Sequence, residues 1–208
     1  MDEITLYHYW RSSCSWRVRW ALIYKKIPHK LIHLDLLKGE QRSEAYLSKN
    51  PAGLIPTLAV DGRYYAESLA ILEWLEERYP RMPLLPTDPI SRMLVRQLSL
   101  SIIAGTQPLQ NLLVLNYLSS NEETRKETAR HFISRGLRTY EQLIEKCSAT
   151  YSFGGELSFA DLALVPQCYN ALRYGVDLAE FPLIKGIYKR CLTMDSCLKT
   201  APEVYQPS

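Results

Sequence analysis

Four prolines fall within ten positions of this 208-residue chain, at Pro80, Pro83, Pro86 and Pro89. Each lacks an N–H donor, and each biases the residue before it away from helix. No helix or central strand runs through such a stretch, so the chain must fold as two pieces joined by a linker over 81–89. Before the break, short β-prone segments alternate with amphipathic ones. Residues 4–9 read as a strand, 31–36 as a second strand, and 16–26 as a helix between them, with Lys25 and Lys26 at its negative end. Residues 58–60 turn at Asp61-Gly62 into 63–65, the pattern of a hairpin with a type I′ turn. Over 68–79, Leu69, Leu72 and Leu75 face inward and Glu73, Glu76, Glu77 and Arg78 outward. The order β-α-β-(α)-β-β-α predicts an α/β domain over 1–80.

After the break every signal is helical. Asp88-Pro89 is a helix start, and Asn121 caps a helix with one apolar stripe: Ala129, Phe132, Ile133, Gly136, Leu137, Tyr140, Leu143, Ile144 and Cys147. Ser158-Phe159-Ala160-Asp161 reads as a capping box, Asp161 anchoring a helix that Pro166 is expected to bend. Phe181-Pro182 opens another. Residues 90–208 are therefore expected to form an all-helical bundle, and the fold class is α/β plus all-α.

Composition narrows the function. Hydrophobic residues make up 47% and charged residues 23%, the balance of a globular protein, and a net charge of +3 is too small to argue for nucleic acid as partner. No apolar run reaches the length of a membrane span, and the acidic start Met1-Asp2-Glu3 is not that of a signal peptide. Five cysteines without paired or zinc-ligand spacing, and His8, His29, His33 and His131 without metal spacing, predict no metal site and a reducing, cytoplasmic setting.

The chemistry concentrates in Arg11-Ser12-Ser13-Cys14-Ser15-Trp16-Arg17, between the first strand and the first helix. Hydroxyls and a thiol there meet free backbone N–H groups and the positive end of the helix dipole, which together stabilise an anion. Taken alone, the cluster reads more readily as a helix cap. Two other features change that. Pro56 precedes a strand, where a cis bond would turn the backbone of Ile55 toward an extended peptide ligand. Glu67-Ser68 opens the third helix with a carboxylate and a hydroxyl beside more free N–H groups. An anion hole, a backbone ledge and a clamp for an amino acid's charged end suit a small thiol peptide. Arg17 and Arg19 are expected at solvated helix positions.

This two-domain plan resembles a glutathione transferase, a thioredoxin-like domain followed by a helical bundle. The string Ser12-Ser13-Cys14-Ser15-Trp16-Arg17-Val18-Arg19 resembles the zeta-class signature. The likeness continues through Asn50-Pro51, Ile55-Pro56-Thr57-Leu58, Glu67-Ser68-Leu69-Ala70-Ile71, the segment around Gln107-Pro108-Leu109-Gln110-Asn111, Phe159-Ala160-Asp161 and Val176-Asp177-Leu178. The resemblance implies glutathione as cofactor, with Ser12 donating to its sulfur and Ser13 and Cys14 lining the pocket. It implies Gln41 at the glycine end, Ile55 on the cysteinyl backbone, Glu67 and Ser68 at the γ-glutamyl end, and Gln107 and Asn111 from the helical domain. Glu67 stands where the zeta pattern commonly has Gln, which predicts altered affinity.

The implied reaction is cis–trans isomerisation of maleylacetoacetate to fumarylacetoacetate, in tyrosine and phenylalanine breakdown, by reversible thiolate addition. A thiol near pKa ~8.5 is only a few per cent ionised at pH 7, and lowering it two units requires about 2.7 kcal/mol of differential stabilisation. Arg11 and Arg173 are expected to clamp the carboxylates of a small dicarboxylate substrate. A homodimer, with no nucleic-acid or membrane partner, completes the expectation. Two other readings compete: a general glutathione transferase or peroxidase, and a non-catalytic binding module of the same fold.

Overall fold

In the computed structural model, which describes residues 2–207, the first strand, β1 (Ile4–His8), buries Ile4, Leu6 and His8 and half-buries the residues between them. That period of two marks a strand covered more heavily on one face. Helix α1 (Ser13–Tyr24), strand β2 (Lys30–His33), the single turn α2 (Glu44–Leu47), the hairpin of β3 (Thr57–Val60) and β4 (Arg63–Tyr65), and α3 (Ser68–Arg78) follow. The sheet order is β2-β1-β3-β4, parallel between β1 and β2 and antiparallel across the other pairs. Asp61 and Gly62 both take positive φ, 47° and 78°, as the expected type I′ turn requires. α1 and α3 pack together, and Trp16, Val18, Trp20, Leu22, Ile71, Leu72 and Leu75 form the core of this unit.

Two arginines of α1 and the lysine that follows it are buried. Arg17 and Arg19 are fully buried instead of solvated. Positions two apart on a helix differ by about 200° in direction, so the pair cannot share one solvent face. Both make side-chain hydrogen bonds inside the unit. Lys25 does not sit in water at the negative end of α1. Its Nζ lies 2.7 Å from Glu76 Oε2 and donates to the carbonyls of Tyr79 and Met82 at 2.9 and 3.2 Å, securing the chain just beyond α3.

The second unit runs from Pro83 to Thr193. It contains α4 (Pro89–Ile103), a 3-10 turn (Gln107–Gln110), α5 (Leu112–Leu118), α6 (Glu122–Ile144), α7 (Phe159–Arg173) and α8 (Pro182–Cys191). The middle of the expected linker is core: Leu84 and Leu85 are buried, and the Leu84 carbonyl accepts the Phe159 N–H at 3.1 Å. Asp88 and Asn121 cap α4 and α6 through the N–H groups of Ser91 and Thr124. The Asp161 carboxylate accepts from Ser158 N–H at 2.9 Å, Ser158 Oγ at 3.1 Å and Ser152 N–H at 2.8 Å, the anchoring role read from the sequence. α8 is capped from outside itself, by Glu141 of α6 accepting the N–H groups of Leu183 and Ile184. α7 runs through Pro166 without ending, and nearly all of it is buried. The α6 stripe packs as expected, with Ala129, Ile133, Leu137, Tyr140 and Ile144 inaccessible to water. Among the described residues no single helix is long and apolar enough to cross a membrane.

The expected helical domain over 90–208 ends early. From Met194 onward the chain returns to the first unit. There α9 (Asp195–Leu198) packs on α1. Trp16 Nε1 donates to Thr200 Oγ1 at 3.1 Å and Trp20 Nε1 to Ser196 Oγ at 3.0 Å.

His8 gives this unit a pH dependence. A guanidinium only donates, so at 3.1 Å from Arg19 Nη1 the His8 Nδ1 must accept and the imidazole is neutral. Burial first, then the charges of Arg19, His33 and His29, depress its pKa from 6.5 to about 3. The unfolded chain therefore binds a proton that the folded one refuses. The stabilising preference is fully present above pH ~6.5 and is lost as pH falls toward 3, by up to about 1.4 kcal/mol per pH unit. Denaturant midpoints measured from pH 7 to pH 5 should fall, and His8→Gln should flatten that slope. An unchanged slope in the variant would remove His8 as its source.

Candidate active site

Ser12 takes extended backbone angles (φ −71°, ψ 123°), and its Oγ accepts the Ser15 N–H at 3.2 Å. It is thus the N-cap of α1, and the cap leaves its own hydroxyl proton available to a second acceptor. Ser13 and Cys14 occupy the first turn and are half-buried. Arg11, just outside, is half-buried with its guanidinium 5.2 Å from the Trp10 ring centre. The N-terminal N–H groups of α1 and its dipole converge on this point.

The Ile55–Pro56 bond is cis. Neither the N–H nor the C=O of Ile55 is taken by another described residue. The loop on either side of it is fixed from behind. The Tyr46 hydroxyl donates to the Leu54 carbonyl at 2.6 Å and lies 2.8 Å from Thr57 Oγ1, while Asn50 Nδ2 donates to both at 2.8 and 3.2 Å. Burial raises the Tyr46 pKa, which keeps that hydroxyl protonated.

Glu67 opens α3 at φ 65°, ψ 106°, a conformation that a side chain disfavours, and its carboxylate makes no cap bond to the helix. Such an outlier persists only where the surroundings impose it, at about 1–3 kcal/mol. Ser68 beside it is buried, and its Oγ accepts from Arg17 Nη1 at 2.7 Å. That bond joins the N-terminal turn of α3 to α1. Because Arg17 fills an acceptor site on Ser68, the serine's own proton points elsewhere. Gln41 lies in a 3-10 turn (Glu40–Arg42), its Oε1 buried and without a partner among the described residues.

In the second unit, Gln107 begins the 3-10 turn and is buried. Asn111 is exposed and caps α5, its Oδ1 accepting the Leu113 N–H at 2.9 Å, which leaves its Nδ2 to face outward. Arg173 ends α7, exposed, with Nη1 donating to Asn170 Oδ1 at 2.8 Å. Asn170 donates in turn to Gln110 Oε1 at 3.0 Å, and Gln110 and Gln167 exchange amide bonds at 2.6 and 3.2 Å. The candidate cation thus stands at the end of a buried amide chain.

The glutathione S-transferase N-terminal domain matches residues 11–78, and the C-terminal domain matches 72–195. The chain belongs to the glutathione S-transferase family. Maleylacetoacetate isomerase of Dictyostelium discoideum is 43% identical over 207 residues, 97% of this chain and 94% of that protein. A bacterial zeta-class maleylpyruvate isomerase superposes with a TM-score of 0.94 at 36% identity, covering 98% and 99% of the two chains. Maleylacetoacetate isomerase of Anaeromyxobacter dehalogenans 2CP-1, solved with glutathione bound, has a TM-score of 0.90 at 40% identity over 100% and 98% of the chains. The two-domain transferase fold expected from the sequence is the fold observed.

Several residues that hold the candidate groups of each unit in place were not read from the sequence. The burial of Arg17 was signalled by its place in Trp16-Arg17-Val18-Arg19-Trp20, a run too apolar to offer two charges to water. Gln110, Gln167 and Asn170 carry no such signal, since their mutual bonds join residues about sixty positions apart, and the bonds of Tyr46 to Leu54 and Thr57 depend on how the intervening loop turns. Ser68 should behave as a structural as well as a site residue. Replacing it with Ala removes the 2.7 Å acceptor of a buried guanidinium, so urea unfolding of ligand-free Ser68→Ala should show a loss of about 1–3 kcal/mol. A loss within error of zero would show that the bond contributes nothing net.

Proposed function

We propose that this chain is a glutathione-dependent cis–trans isomerase that converts maleylacetoacetate to fumarylacetoacetate in tyrosine and phenylalanine breakdown. The observation that carries the reading is Ser12: a capping hydroxyl whose oxygen is engaged by Ser15 N–H while its proton remains to be donated at the positive end of α1. The related Anaeromyxobacter enzyme has also been solved with dicarboxyethyl glutathione and citrate bound, ligands of the charge this reaction requires.

Glutathione suits the groups present. The unpaired Ile55 backbone and the buried, unpartnered Gln41 Oε1 are polar groups that a peptide ligand satisfies. In this reading Ile55 pairs with the cysteinyl backbone, Glu67 holds the γ-glutamyl ammonium, and Ser68 donates to its carboxylate. Gln41 lies at the glycine end, and Ser13, Cys14, Gln107 and Asn111 line the pocket. Bound glutathione supplies the thiolate whose reversible addition frees the double bond to rotate. Ser12 and the α1 N-terminus hold that thiolate, and Arg11 and Arg173 orient a substrate with two carboxylates. The domain plan is read as a glutathione-binding part over the first 80 or so residues, rejoined from Met194, and a helical part between them that shapes the second-substrate pocket. The protein is read as a cytoplasmic homodimer, consistent with an odd number of cysteines without paired spacing and with Ile90, Met93 and Leu100 exposed on α4.

The test is glutathione-dependent turnover of maleylacetone, a stable stand-in for maleylacetoacetate, with maleylpyruvate in parallel. Wild type should isomerise, and Ser12→Ala should lose about 100-fold in kcat/KM, as expected when one donor to a developing or bound anion is removed. Conjugation of aromatic halides without isomerisation would hand the site to the general transferase reading, and failure to bind glutathione would leave the binding module.

The carboxylate clamps have their own check. Arg173→Ala and Arg11→Ala should raise KM about tenfold for the dianionic substrate and leave a neutral maleyl diester nearly unaffected. Equal effects on both substrates would remove either arginine from substrate recognition.

A further inference from the structure

Arg19 lies seven residues beyond Ser12, with no exposure to solvent. Its Nη1 donates to the Tyr9 carbonyl at 3.3 Å and lies 3.1 Å from His8 Nδ1. Its Nη2 donates to the Trp10 carbonyl at 2.9 Å and to the Thr200 carbonyl at 3.1 Å. The guanidinium carbon lies 4.8 Å from the Tyr205 ring centre, a cation–π distance. One planar fork therefore holds the two carbonyls just before the Arg11-Ser12 step on one side and the end of the chain on the other.

The Tyr9 carbonyl is the junction, because it also accepts the Ser12 N–H, at 3.2 Å. Tyr9 is held again at its amide, which donates to Ser15 Oγ at 3.4 Å. If Arg19 shifts, the carbonyl that fixes the Ser12 backbone shifts with it. The far side of Arg19 is set by the C-terminal segment. Thr200 is fully buried and receives Trp16 Nε1, and its hydroxyl donates to the carbonyls of Ser196 and Cys197 at 3.0 and 2.9 Å. Tyr205 closes over Arg19 and donates its hydroxyl to the Lys199 carbonyl at 3.2 Å.

We propose that Arg19 is a positioning residue for Ser12 and that the C-terminal segment from Thr200 to Tyr205 is the strap that holds Arg19 in place. The tail of the chain thereby sets how strongly the site acidifies a bound thiol. The proposal rests on the reading of Ser12 as the donor to the glutathione thiolate. Misplacing a hydrogen-bond donor by a fraction of an ångström weakens a charge-assisted bond without abolishing ligand binding. The strap therefore acts on thiol ionisation and turnover more than on affinity for glutathione.

Tyr205 is the position to vary, since it is only half-buried and near the chain end. Three proteins are compared in the presence of glutathione: wild type, Tyr205→Ala and Tyr205→Phe. The readouts are the pKa of the bound thiol, from its thiolate absorbance, and the pH profile of isomerisation. Tyr205→Ala should raise the bound-thiol pKa by about half a unit or more, which lowers the thiolate fraction and kcat on the acid side about threefold. Its KM for glutathione should stay within about twofold, a ratio near the thermal energy. Tyr205→Phe keeps the ring over Arg19 and should match wild type. Arg19→Lys, which keeps the charge and loses the fork, should shift the pKa in the same direction as Tyr205→Ala.

A fall in melting temperature in Tyr205→Ala with an unchanged thiol pKa would reduce the strap to a stabilising contact and overturn the proposal. Equal shifts in the Phe and Ala variants would also overturn it, because the ring over Arg19 would not be the link. If Ser12→Ala itself leaves the bound-thiol pKa unchanged, the reading of Ser12 fails and the strap proposal fails with it. That result differs from failure of the strap alone, in which Ser12→Ala shifts the pKa and Tyr205→Ala does not.

Discussion

Two guanidinium groups of α1 are kept out of water, and the candidate site depends on where they are aimed. A buried guanidinium must have its N–H groups satisfied, and an arginine cannot escape the cost by losing its proton. Arg17 meets that demand partly at Ser68, and Arg19 meets most of it at the carbonyls of Tyr9, Trp10 and Thr200, with its Nε left without a partner among the described residues. The start of α3, the loop before α1 and the end of the chain are therefore fixed to one helix. Removing an acceptor from a buried guanidinium costs about 1–3 kcal/mol, more than a typical surface ion pair contributes. The exposed bridge between Lys30 and Glu3, by comparison, contributes little to the fold.

That arrangement bears on how an anion is held. Lowering a thiol pKa by two units needs about 2.7 kcal/mol. A helix N-terminus supplies about 0.3–1 kcal/mol, reaching ~2 in partly buried geometry, so the α1 dipole alone falls short. A hydrogen bond to a charged acceptor contributes about 1.5–3 kcal/mol, so a donated proton from Ser12 closes the gap. The two contributions together reach the requirement, and both require the Ser12 backbone to stay where the α1 N-terminus points. Cys197, packed among apolar side chains where burial pushes its pKa up to about 12, shows the opposite environment within the same unit.

Local patterns in the sequence made much of this fold legible. The hairpin at Asp61-Gly62, the caps at Asp88 and Asn121, the Ser158–Asp161 box and the α6 stripe each depend on residues a few positions apart. What stayed hidden depends on distant partners. Lys25 reads as a helix-end cation until Glu76 and the carbonyls beyond α3 are brought to it. The stretch after Pro80 reads as linker because proline density is visible and the burial of Leu84 and Leu85 is not. The tail reads as the last of the helical part because its helical signals are local, whereas its docking on Trp16 and Trp20 is not. At the candidate site the motif residues were legible and their supports were not: Ser12, Ile55, Glu67 and Ser68 stand in recognisable strings, while Tyr46 acts across a fold.

The helical unit follows the same logic with neutral groups in place of charges. Arg173 is oriented by an amide oxygen, and the amides behind it, Asn170, Gln110 and Gln167, pass hydrogen bonds inward to the buried face of α7. A carboxylate at the position of Asn170 would orient the guanidinium as well, but it would also offset its charge. An amide fixes direction at little electrostatic cost. Because Gln110 and Gln167 are themselves buried and satisfy each other, the network gains nothing by releasing Asn170. The 3-10 turn that carries Gln107 is held by that network through Gln110, so the turn and the end of α7 are coupled. A substitution at Gln110 or Gln167 would therefore disturb the 3-10 turn and the end of α7 together.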